Sequence, residues 1–558
     1  MASPALAQAP GALDPGVQLQ EELRNITPPP PRYDPDEDLK LEEKTQPDSE
    51  DIEDQSSILL KKVRIEGHTV LSDAVLMRPF AALVGGTITF QQLQQAALQA
   101  EALYKELGFI TTRVVIPSQD FDGGEITIQV VEGFIQDVDV RGATPGLQAY
   151  VRRMLQPVGA ESNRKVFNFN VLERQLLLIR SFGGVRFNSS LVKGTVLGGS
   201  RLIVNLKADS FAGGIDANNN IPLQLGDWQI SANASTYIPI SQPIKILGGG
   251  SYSLPFNGGL VSGLAALSTP IGNEGFKADA FWALSTTSSK DLLDGPGYLQ
   301  TVGSSNYWSF GLSYPLLLKR NAQLNVSLQG TGQNSTNDLY VDGIEATDLS
   351  TDRIRALRLL VDGYLVSRNA TTSASLRISQ GLGGLDDGLD ADEFPSNPYG
   401  APNFTTARLN LARTQRLFES DTLLTIKGAG QVSATPLPVP ETFTYGGPQY
   451  GRAFRSVYIL GDQGWAGSVE LAQNFNVQLF NELASFQPFL WYDYGNTIYK
   501  EGPLPSQQAS TYGIGLKGSG FQNTSFELGW GIPATNTLQP NVVGTANSIV
   551  YFNVGWRF

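Results

Sequence analysis

The chain has 558 residues, a formal net charge of −13, no cysteine and one histidine, His68. Without cysteine there are neither disulfides nor thiolate metal sites, and a single histidine leaves catalytic triads and multi-histidine zinc sites without their usual members. From these absences we expect no enzymatic activity, no cofactor and no metal site. The acidic balance and the lack of basic–aromatic patches argue against nucleic-acid binding, so we expect no nucleic-acid partner.

Residues 1–57 are not expected to contain a folded domain. The first ten residues contain Ala5-Leu6-Ala7, the small-x-small pattern of a signal-peptidase site, and we interpret them as a signal remnant; a disordered Ala/Pro-rich end is the alternative. Residues 1–57 hold 14 Asp and Glu against 4 Lys and Arg, and their proline-rich part predicts an acidic linker. Residues 17–24, VQLQEELR, predict a short helix of about two turns.

Residues 58–133 predict a small α+β domain in the order β-α-α-β-β. Alternating apolar residues indicate the strands, and apolar residues spaced along one face indicate the helices. Ser72 is the expected N-cap of the first helix, and Gly108 is expected to end the second. The predicted strands are 59–67, 111–119 and 125–133, and the predicted helices are 72–83 and 89–108.

Residues 134–208 repeat the same order of elements over about 75 residues, which indicates an internal repeat. The predicted strands are 134–142, 185–194 and 200–208, and the predicted helices are 147–157 and 168–182. Each unit is therefore expected to contain a three-stranded sheet, whose edge strand is suited to receive an extended peptide. A purely structural spacer is the alternative.

Residues 209–558 change in character, because helical periodicity ends and segments of 10 to 16 residues alternate polar and apolar side chains. We count sixteen such segments, with about 22 residues per strand and loop, and an even number at this spacing is typical of a bacterial outer-membrane barrel. The chain has no run of 18 or more apolar residues, so a membrane-spanning helix is not expected.

The last segment, residues 548–558, shows the alternation most clearly. Its apolar face is formed by Val550, Phe552, Val554, Trp556 and Phe558. A β-sandwich also alternates, but one with sixteen strands would be large and its inner face would be richer in Val, Ile and Leu than the Ser, Asn, Thr, Arg and Gln found here. The sequence therefore predicts a multi-domain protein, with two small α+β domains followed by a 16-stranded antiparallel transmembrane β-barrel.

Two βααββ repeats followed by a sixteen-stranded barrel that ends in aromatic-x-Phe resemble the two-partner-secretion transporters, the haemolysin secretion/activation family of the BamA-like superfamily. Residues 104–121, YKELGFITTRVVIPSQDF, are similar to the signature GYxTSRVxxPxQ of that family's first POTRA domain. The resemblance covers residues 58–558. It implies that residues 58–133 are POTRA 1 and residues 134–208 are POTRA 2, both in the periplasm, and that the barrel lies in the bacterial outer membrane.

The resemblance extends to residues 443–454, FTYGGPQYGRAF. The family has a long loop, folded back into the barrel, whose tip carries a Val-Arg-Gly-Tyr type motif. The matching positions here are Arg452, Ala453 in place of the usual Gly, Phe454, and Gly451 in place of the usual Val. Gly446 and Gly447 precede the tip, and without a GxxxxGK[ST] pattern or a following helix they do not indicate a phosphate site.

In the family, the partner of this arginine is an aromatic-x-Asp-x-Gly motif on a following strand, which LWYDYG supplies here. Trp491, Asp493 and Gly495 share one parity along a strand, so all three are expected to face the lumen. An arginine inside a barrel needs an anionic partner, and the resemblance implies an Arg452–Asp493 pair. Glu470, in SVELAQ, is a further candidate for the neighbourhood of the loop. The alternative is a solvated loop and an unrelated lumen carboxylate.

The resemblance implies an outer-membrane translocator for a large, β-rich secreted partner protein, with the unfolded cargo pairing with POTRA edges and the barrel forming the pore. Further implied partners are outer-membrane lipid and the barrel-assembly machinery, for which Trp556 and Phe558 form a C-terminal assembly signal. The alternatives are a barrel-assembly insertase of the same superfamily, a passive porin and a soluble all-β enzyme. The sequence leaves open the identity of the cargo and whether the helix at residues 17–24 plugs the pore.

Overall fold

The computed structural model describes residues 12–26, 57–119, 123–159, 165–182, 184–208, 211–238, 240, 242–254, 259–289, 298–384, 393–418, 421–479, 482–520 and 522–558. The proposed signal remnant at residues 1–10 and the acidic linker at residues 27–56 lie outside these residues. The first described helix is α1, Pro15–Ile26. None of the helices in the described residues combines the length and the apolar character that crossing a membrane requires.

The chain divides into two compact units. One consists of Met1–Tyr33, Ser210–Ile238 and Ile244–Phe558, and the other of Asp34–Asp209 and Pro239–Pro243. The second unit begins with an α+β domain whose elements are β1 (Ser57–Leu59), β2 (Lys62–Glu66), α2 (Asp73–Leu76), β3 (Thr87–Thr89), α3 (Phe90–Glu106), β4 (Arg113–Val115) and β5 (Glu125–Val131). The central strand β5 runs parallel to β2 and antiparallel to β4.

One helix of this domain follows the sequence-based prediction and the other does not. Helix α3 begins with a capping box, in which the Gln92 N–H donates to Thr89 Oγ1 at 3.3 Å and the Thr89 N–H donates to Gln92 Oε1 at 3.0 Å, and it is followed by Gly108 with φ of 92°. The predicted helix at 72–83 is mostly wrong, because only Asp73–Leu76 is helical. Pro79 lacks a backbone N–H and disfavours helical conformation in the residue before it.

The next domain has the same architecture. Its elements are β6 (Phe134–Gly142), α4 (Pro145–Met154), α5 (Phe169–Ser181), β7 (Val185–Lys193) and β8 (Gly199–Ala208). The central strand β8 again runs parallel to one neighbour, β6, and antiparallel to the other, β7. Helix α4 starts before the predicted residue 147, because Thr144 Oγ1 accepts the Leu147 N–H at 3.4 Å and proline is tolerated in the first turn.

The first unit contains a closed antiparallel barrel. Its strands are β9 (Phe211–Asn218), β10 (Trp228–Ile238), β11 (Ile244–Leu254), β12 (Gly259–Ile271), β13 (Phe276–Ser288), β14 (Leu299–Lys319), β15 (Ala322–Val341), β16 (Ile344–Ser367), β17 (Ala370–Gly381), β18 (Thr405–Leu417), β19 (Thr422–Ser433), β22 (Gln463–Gln473) with β23 (Phe475–Leu479), β24 (Glu482–Ile498), β25 (Gln507–Ser519), β26 (Thr524–Asn536) and β27 (Ile549–Arg557). Because β22 and β23 pair with the same neighbour, β24, they are two parts of one strand. The predicted barrel of sixteen strands is confirmed.

The barrel wall is apolar outside and polar inside, as the alternation predicted. On β24, Leu490 and Tyr492 are about half exposed, whereas Trp491 and Asp493 are buried. On β27, Val550 is exposed and Tyr551 is buried. Alternate residues therefore face a lipid-compatible exterior and a polar lumen, as spanning strands require.

The barrel closes between its first and last strands, over five registered pairs of β27 with β9. Arg557 donates to both carboxylate oxygens of Asp216 across this seam, each at 2.9 Å. Phe558 extends the ladder, since its N–H donates to the Gly213 carbonyl at 3.0 Å and its carbonyl accepts the Gly213 N–H at 2.9 Å. Trp556 and Phe558 thus lie at the closing seam.

Glu132, which follows β5, fastens the turn after β2. Its carboxylate accepts the N–H groups of Thr69 at 2.7 Å and Val70 at 2.9 Å, and the hydroxyl of Tyr104 at 3.0 Å. Burial opposes ionisation, but the hydrogen bonds outweigh it and hold the pKa of Glu132 below its ordinary value. A carboxylate with a lowered pKa stabilises the folded state at neutral pH, and this contribution is lost as the pH falls below about 4.

We expect Glu132→Gln to speed hydrogen exchange at the Thr69 and Val70 amides by about tenfold at pH 7, because a neutral amide replaces a charged acceptor. Exchange measured by mass spectrometry checks this, and the gap between wild type and variant should narrow near pH 4. The control is Glu66→Gln, whose exposed carboxylate lies 4.0 Å from Arg64. Equal exchange at these two amides in wild type and Glu132→Gln would show that the carboxylate does not hold the turn.

Candidate functional site

A loop of residues 434–462 joins β19 to β22 and folds into the barrel. Within it, β20 (Phe443–Tyr445) pairs antiparallel with β21 (Ile459–Gly461). Phe443 and Tyr445 are at most 1% exposed, and Gln431 on the wall donates to the Glu441 carbonyl at 2.9 Å. This burial excludes a loop that extends into solvent.

The tip of the loop is shaped by glycines. Gly446, Gly447 and Gly451 have φ of 123°, 91° and 86°, in the region that disfavours other residues. The Gly447 N–H donates to the Phe454 carbonyl at 3.1 Å, which closes the turn. Ala453 is not among the residues with positive φ, and the space above Gly531 accommodates it, since a Cβ on that glycine would lie 2.9 Å from the Ala453 Cβ. Alanine therefore fits at this position of the tip.

Arg452 at the tip is 5% exposed and donates to the barrel wall. Its Nε donates to Asp493 Oδ2 at 3.1 Å and its Nη2 to Asp493 Oδ1 at 3.0 Å. The backbone N–H groups of Gly451 and Arg452 add donations to Asp493 Oδ2, at 3.0 and 3.1 Å. Asp493 thus holds both the side chain and the backbone of the tip, as a bidentate carboxylate can.

Two further charges complete a neutral group. Arg452 Nη1 donates to Glu470 Oε2 at 2.5 Å, and its Nη2 donates to Ser468 Oγ at 3.1 Å. Lys517 donates to the other oxygen of Glu470, also at 2.5 Å. Two cations thus face two carboxylates, which removes the penalty of an isolated buried charge.

Aromatic rings enclose this group. The Arg452 guanidinium carbon lies 4.4 Å from the centre of the Trp491 ring, which is a cation–π distance. Phe454 stacks on Tyr458 with ring centres 4.1 Å apart. A Cβ on Gly495 would lie 2.2 Å from the Tyr445 ring, so a glycine is required there for the loop to seat.

The structure brings together most residues that the sequence singled out: Arg452, Ala453, Phe454, Glu470, Trp491, Asp493 and Gly495, with Gly446 and Gly447 at the turn. Trp556 and Phe558 lie at the seam between β27 and β9 instead. Sequence reasoning missed Ser468 and Lys517, for which inward parity on their strands was the available signal. Across the described stretches, no three His, Asp or Glu residues gather in a way that could hold a metal ion.

Helix α1 lies against the inner wall of the same barrel. Its buried residues include polar ones as well as apolar ones: Val17, Gln18, Leu19 and Glu22. Gln20 donates to Gln333 Oε1 on β15 at 3.1 Å, and the Glu22 carboxylate accepts hydrogen bonds from Gln229 at 2.6 Å and from Ser251. The helix at the predicted position therefore occupies part of the lumen.

Two glycines let this helix approach its neighbours closely. A Cβ on Gly16 would lie 2.6 Å from Ser335 Oγ on β15 and 2.8 Å from Pro440 Cγ in the loop. A Cβ on Gly303 would lie 2.9 Å from the Pro15 ring. The helix is thus in contact with both the wall and the loop.

The sequence matches two family descriptions. The POTRA domain of ShlB type matches residues 58–133, and the haemolysin secretion/activation protein ShlB/FhaC/HecB matches residues 198–518, more than half of the chain. The outer membrane transporter CdiB of Dickeya dadantii (strain 3937) is 23% identical over 515 residues, which cover 89% of this chain and 86% of that protein.

Two solved structures share the fold. CdiB from Escherichia coli aligns over 100% of this chain and 99% of its own, with a TM-score of 0.69 and 18% identity. CdiB from Acinetobacter baumannii aligns over 100% of both chains, with a TM-score of 0.62 and 16% identity. At these identities, the likeness shows a common architecture.

We expect Asp493→Asn to release the loop tip, because removing one partner of a buried ion pair costs about 3–5 kcal/mol. Since the chain has no cysteine, Ala453→Cys at the buried tip provides a single reporter thiol. Its labelling by a water-soluble maleimide should become about tenfold faster or more in the Asp493→Asn background.

The matched control is Asp362→Asn, which removes another lumen carboxylate, one that accepts a hydrogen bond from Asn325 at 3.1 Å. In the Asp362→Asn background, the Ala453→Cys thiol should be labelled at the same rate as in the chain that carries Ala453→Cys alone. If the thiol reacts equally slowly in the Asp493→Asn background, Asp493 does not secure the tip.

Proposed function

The chain belongs to the haemolysin secretion/activation protein family ShlB/FhaC/HecB, and on this premise we propose that it exports a large, β-rich partner protein to the cell surface. Proteins of this family are transporters rather than enzymes, and the chain is an outer-membrane translocator of the two-partner secretion type whose POTRA region lies in the periplasm. The finer proposal is that the domains at residues 58–133 and 134–208 bind the unfolded cargo and that the barrel is its pore.

The observation that supports this proposal is a polar lumen filled by two elements that are not part of its wall. The loop of residues 434–462 and helix α1 are held there mainly by side chains, such as Arg452 and Gln20. Neither contributes a strand to the barrel ladder, so either can move without opening the wall. A passive porin has no need of such movable contents.

Arg452 is proposed to set the position of the loop in the resting state. Its pairing with Asp493 and Glu470 is strong in a confined site, yet it consists of exchangeable ionic contacts that a passing chain can replace. Phe454, Trp491 and Gly495 would make the tip fit in one orientation. The site is therefore proposed to position a gate and not to perform a reaction.

Cargo recognition is proposed to use the sheet edges of the two α+β domains. Strands β2 and β4 are edges of the first sheet, and β6 and β7 are edges of the second. An unfolded, β-rich cargo can add a strand to such an edge through backbone hydrogen bonds, which gives recognition with modest sequence specificity. Folding of the cargo outside the cell would make its passage directional.

The proposal is tested in a strain that lacks this chain. We expect a large β-rich protein to be lost from the cell surface and medium and to remain in the periplasm, and the wild-type chain to restore its export. Arg452→Ala should restore less than about a tenth of that export, because Asp493 and Glu470 are left without their partner.

Heat-modifiable migration on gels checks that the variant barrel is folded. Loss of many outer-membrane proteins, instead of one secreted protein, would favour a barrel-assembly insertase. Full export by Arg452→Ala would mean that the tip contact is dispensable.

Helix α1 is proposed to leave the lumen during export. Since Gln20 Nε2 donates to Gln333 Oε1 on the wall at 3.1 Å, cysteines at these two positions can be joined by a short, reducible bis-methanethiosulfonate crosslinker that fixes the helix to the wall. We expect the crosslinked double variant to block export and a reductant to restore it, with each single-cysteine variant as the control. Undiminished export by the crosslinked double variant would show that the helix can remain in place.

A further inference from the structure

A second buried ion pair fastens the beginning of the loop to the wall. Glu441 ends a short 3-10 turn, Val439–Glu441, and its carboxylate accepts from Arg358 Nη1 at 3.0 Å and from Nη2 at 2.5 Å. Both side chains are 7% exposed. Arg358 lies on β16, five strands away in the barrel from the β24 that carries Asp493, so the two ion pairs hold the loop at separate places.

The arginine of this pair is also held by hydrogen bonds within the barrel wall. Its Nε donates to Thr331 Oγ1 on β15 and its Nη1 to Ser379 Oγ on β17, both at 3.0 Å. These bonds orient the planar guanidinium, so that its remaining donors face the carboxylate of the loop. Glu441 is therefore the movable partner, and Arg358 is its fixed receptor.

The turn that carries Glu441 is also part of the seat of helix α1. Val439 packs in a buried cluster with Val17 of the helix, together with Val457 and Leu460. Pro440 lies where a Cβ on Gly16 would approach it to 2.8 Å. Just beyond the turn, Thr444 donates to Glu21 Oε1 at 2.5 Å. The turn thus covers the start of the helix at Gly16 and Val17, and Thr444 extends the contact to Glu21.

We propose that the Arg358–Glu441 pair is the latch that keeps helix α1 seated in the lumen, separate from the Arg452–Asp493 contact that holds the loop tip. This inference rests on the proposed function, in which the helix must leave for cargo to pass. While the pair is closed, the turn is pressed against the helix. When the pair opens, Val439 and Pro440 can withdraw, and the helix loses one side of its seat.

The two ion pairs share no residue, and a paired β-segment separates them. Strand β20 lies between the turn and the tip, and it pairs with β21, which follows the tip. Asp462 accepts N–H groups from Leu437 and Lys500, each at 2.8 Å, which anchors both ends of the loop. The turn can therefore lift while the tip stays bound. The two contacts are expected to control different steps.

The test measures channel opening in planar bilayers, with purified full-length protein and without cargo, so that it does not depend on whether the chain exports one. We expect Glu441→Gln to increase the fraction of time spent in the open state by about tenfold, which corresponds to about 1.4 kcal/mol. Arg358→Lys, which keeps the charge but loses the two-pronged geometry, should give a smaller increase. The control Asp362→Asn removes a lumen carboxylate on the same strand as Arg358 and should behave as wild type.

Two further measurements assign the effect to the helix. In the Glu441→Gln background, crosslinking of the Gln20→Cys/Gln333→Cys pair should return the channel to the closed level. In the otherwise wild-type chain, the charge exchange Arg358→Glu/Glu441→Arg should keep the channel closed. The Ala453→Cys reporter should remain protected in Glu441→Gln, because the tip is still bound. The proposal is overturned if the folded Glu441→Gln and Arg358→Lys barrels open no more than wild type, or if the openings persist when the helix is locked.

Discussion

Closure of the barrel is the constraint on which the rest of the structure depends. A sheet in lipid can leave no backbone N–H or C=O unpaired at an edge, so β27 must return to β9. The resulting wall faces lipid with one set of side chains and encloses the other set in a polar lumen. That lumen is the reason why charged residues such as Arg452, Asp493 and Glu441 can be buried here at all, since each finds partners on the surrounding strands.

The contents of the lumen follow the same logic. Helix α1 buries Gln18 and Glu22 together with Val17 and Leu19, because the wall that it meets offers polar groups. An entirely apolar helix would be poorly matched to such a wall, and its release into water would be costly. A helix held by both polar and apolar contacts is compatible with the lumen wall and with water, which suits an element that is proposed to move.

The loop is held by two ion pairs of opposite sense. At the tip, the loop supplies the cation and the wall supplies the carboxylates; at the turn before β20, the loop supplies the carboxylate and the wall supplies Arg358. The tip group is built around the residues that the resemblance singled out, whereas the turn contacts the helix directly. Both ion pairs are strengthened by the confined site, and breaking either one leaves a buried charge unpaired at a high cost in free energy. Each pair is therefore expected to be either formed or broken, with little in between.

The sequence by itself determined the local features: sixteen alternating strands, the repeated α+β domains, the helix at residues 17–24 and, through the resemblance, the partnership of Arg452 with Asp493. The sequence-based prediction was wrong at residues 72–83, where the apolar spacing predicts a helix but Pro79 disfavours one, and only Asp73–Leu76 is helical. Only the tertiary structure decided that helix α1 lies in the lumen. It also decided that Glu441 meets Arg358, 83 residues away, and that Thr444 meets Glu21, 423 residues away. The physical reason is that periodicity fixes which face a side chain takes, whereas the register around a closed barrel fixes which inward side chains share one level and come within reach of each other.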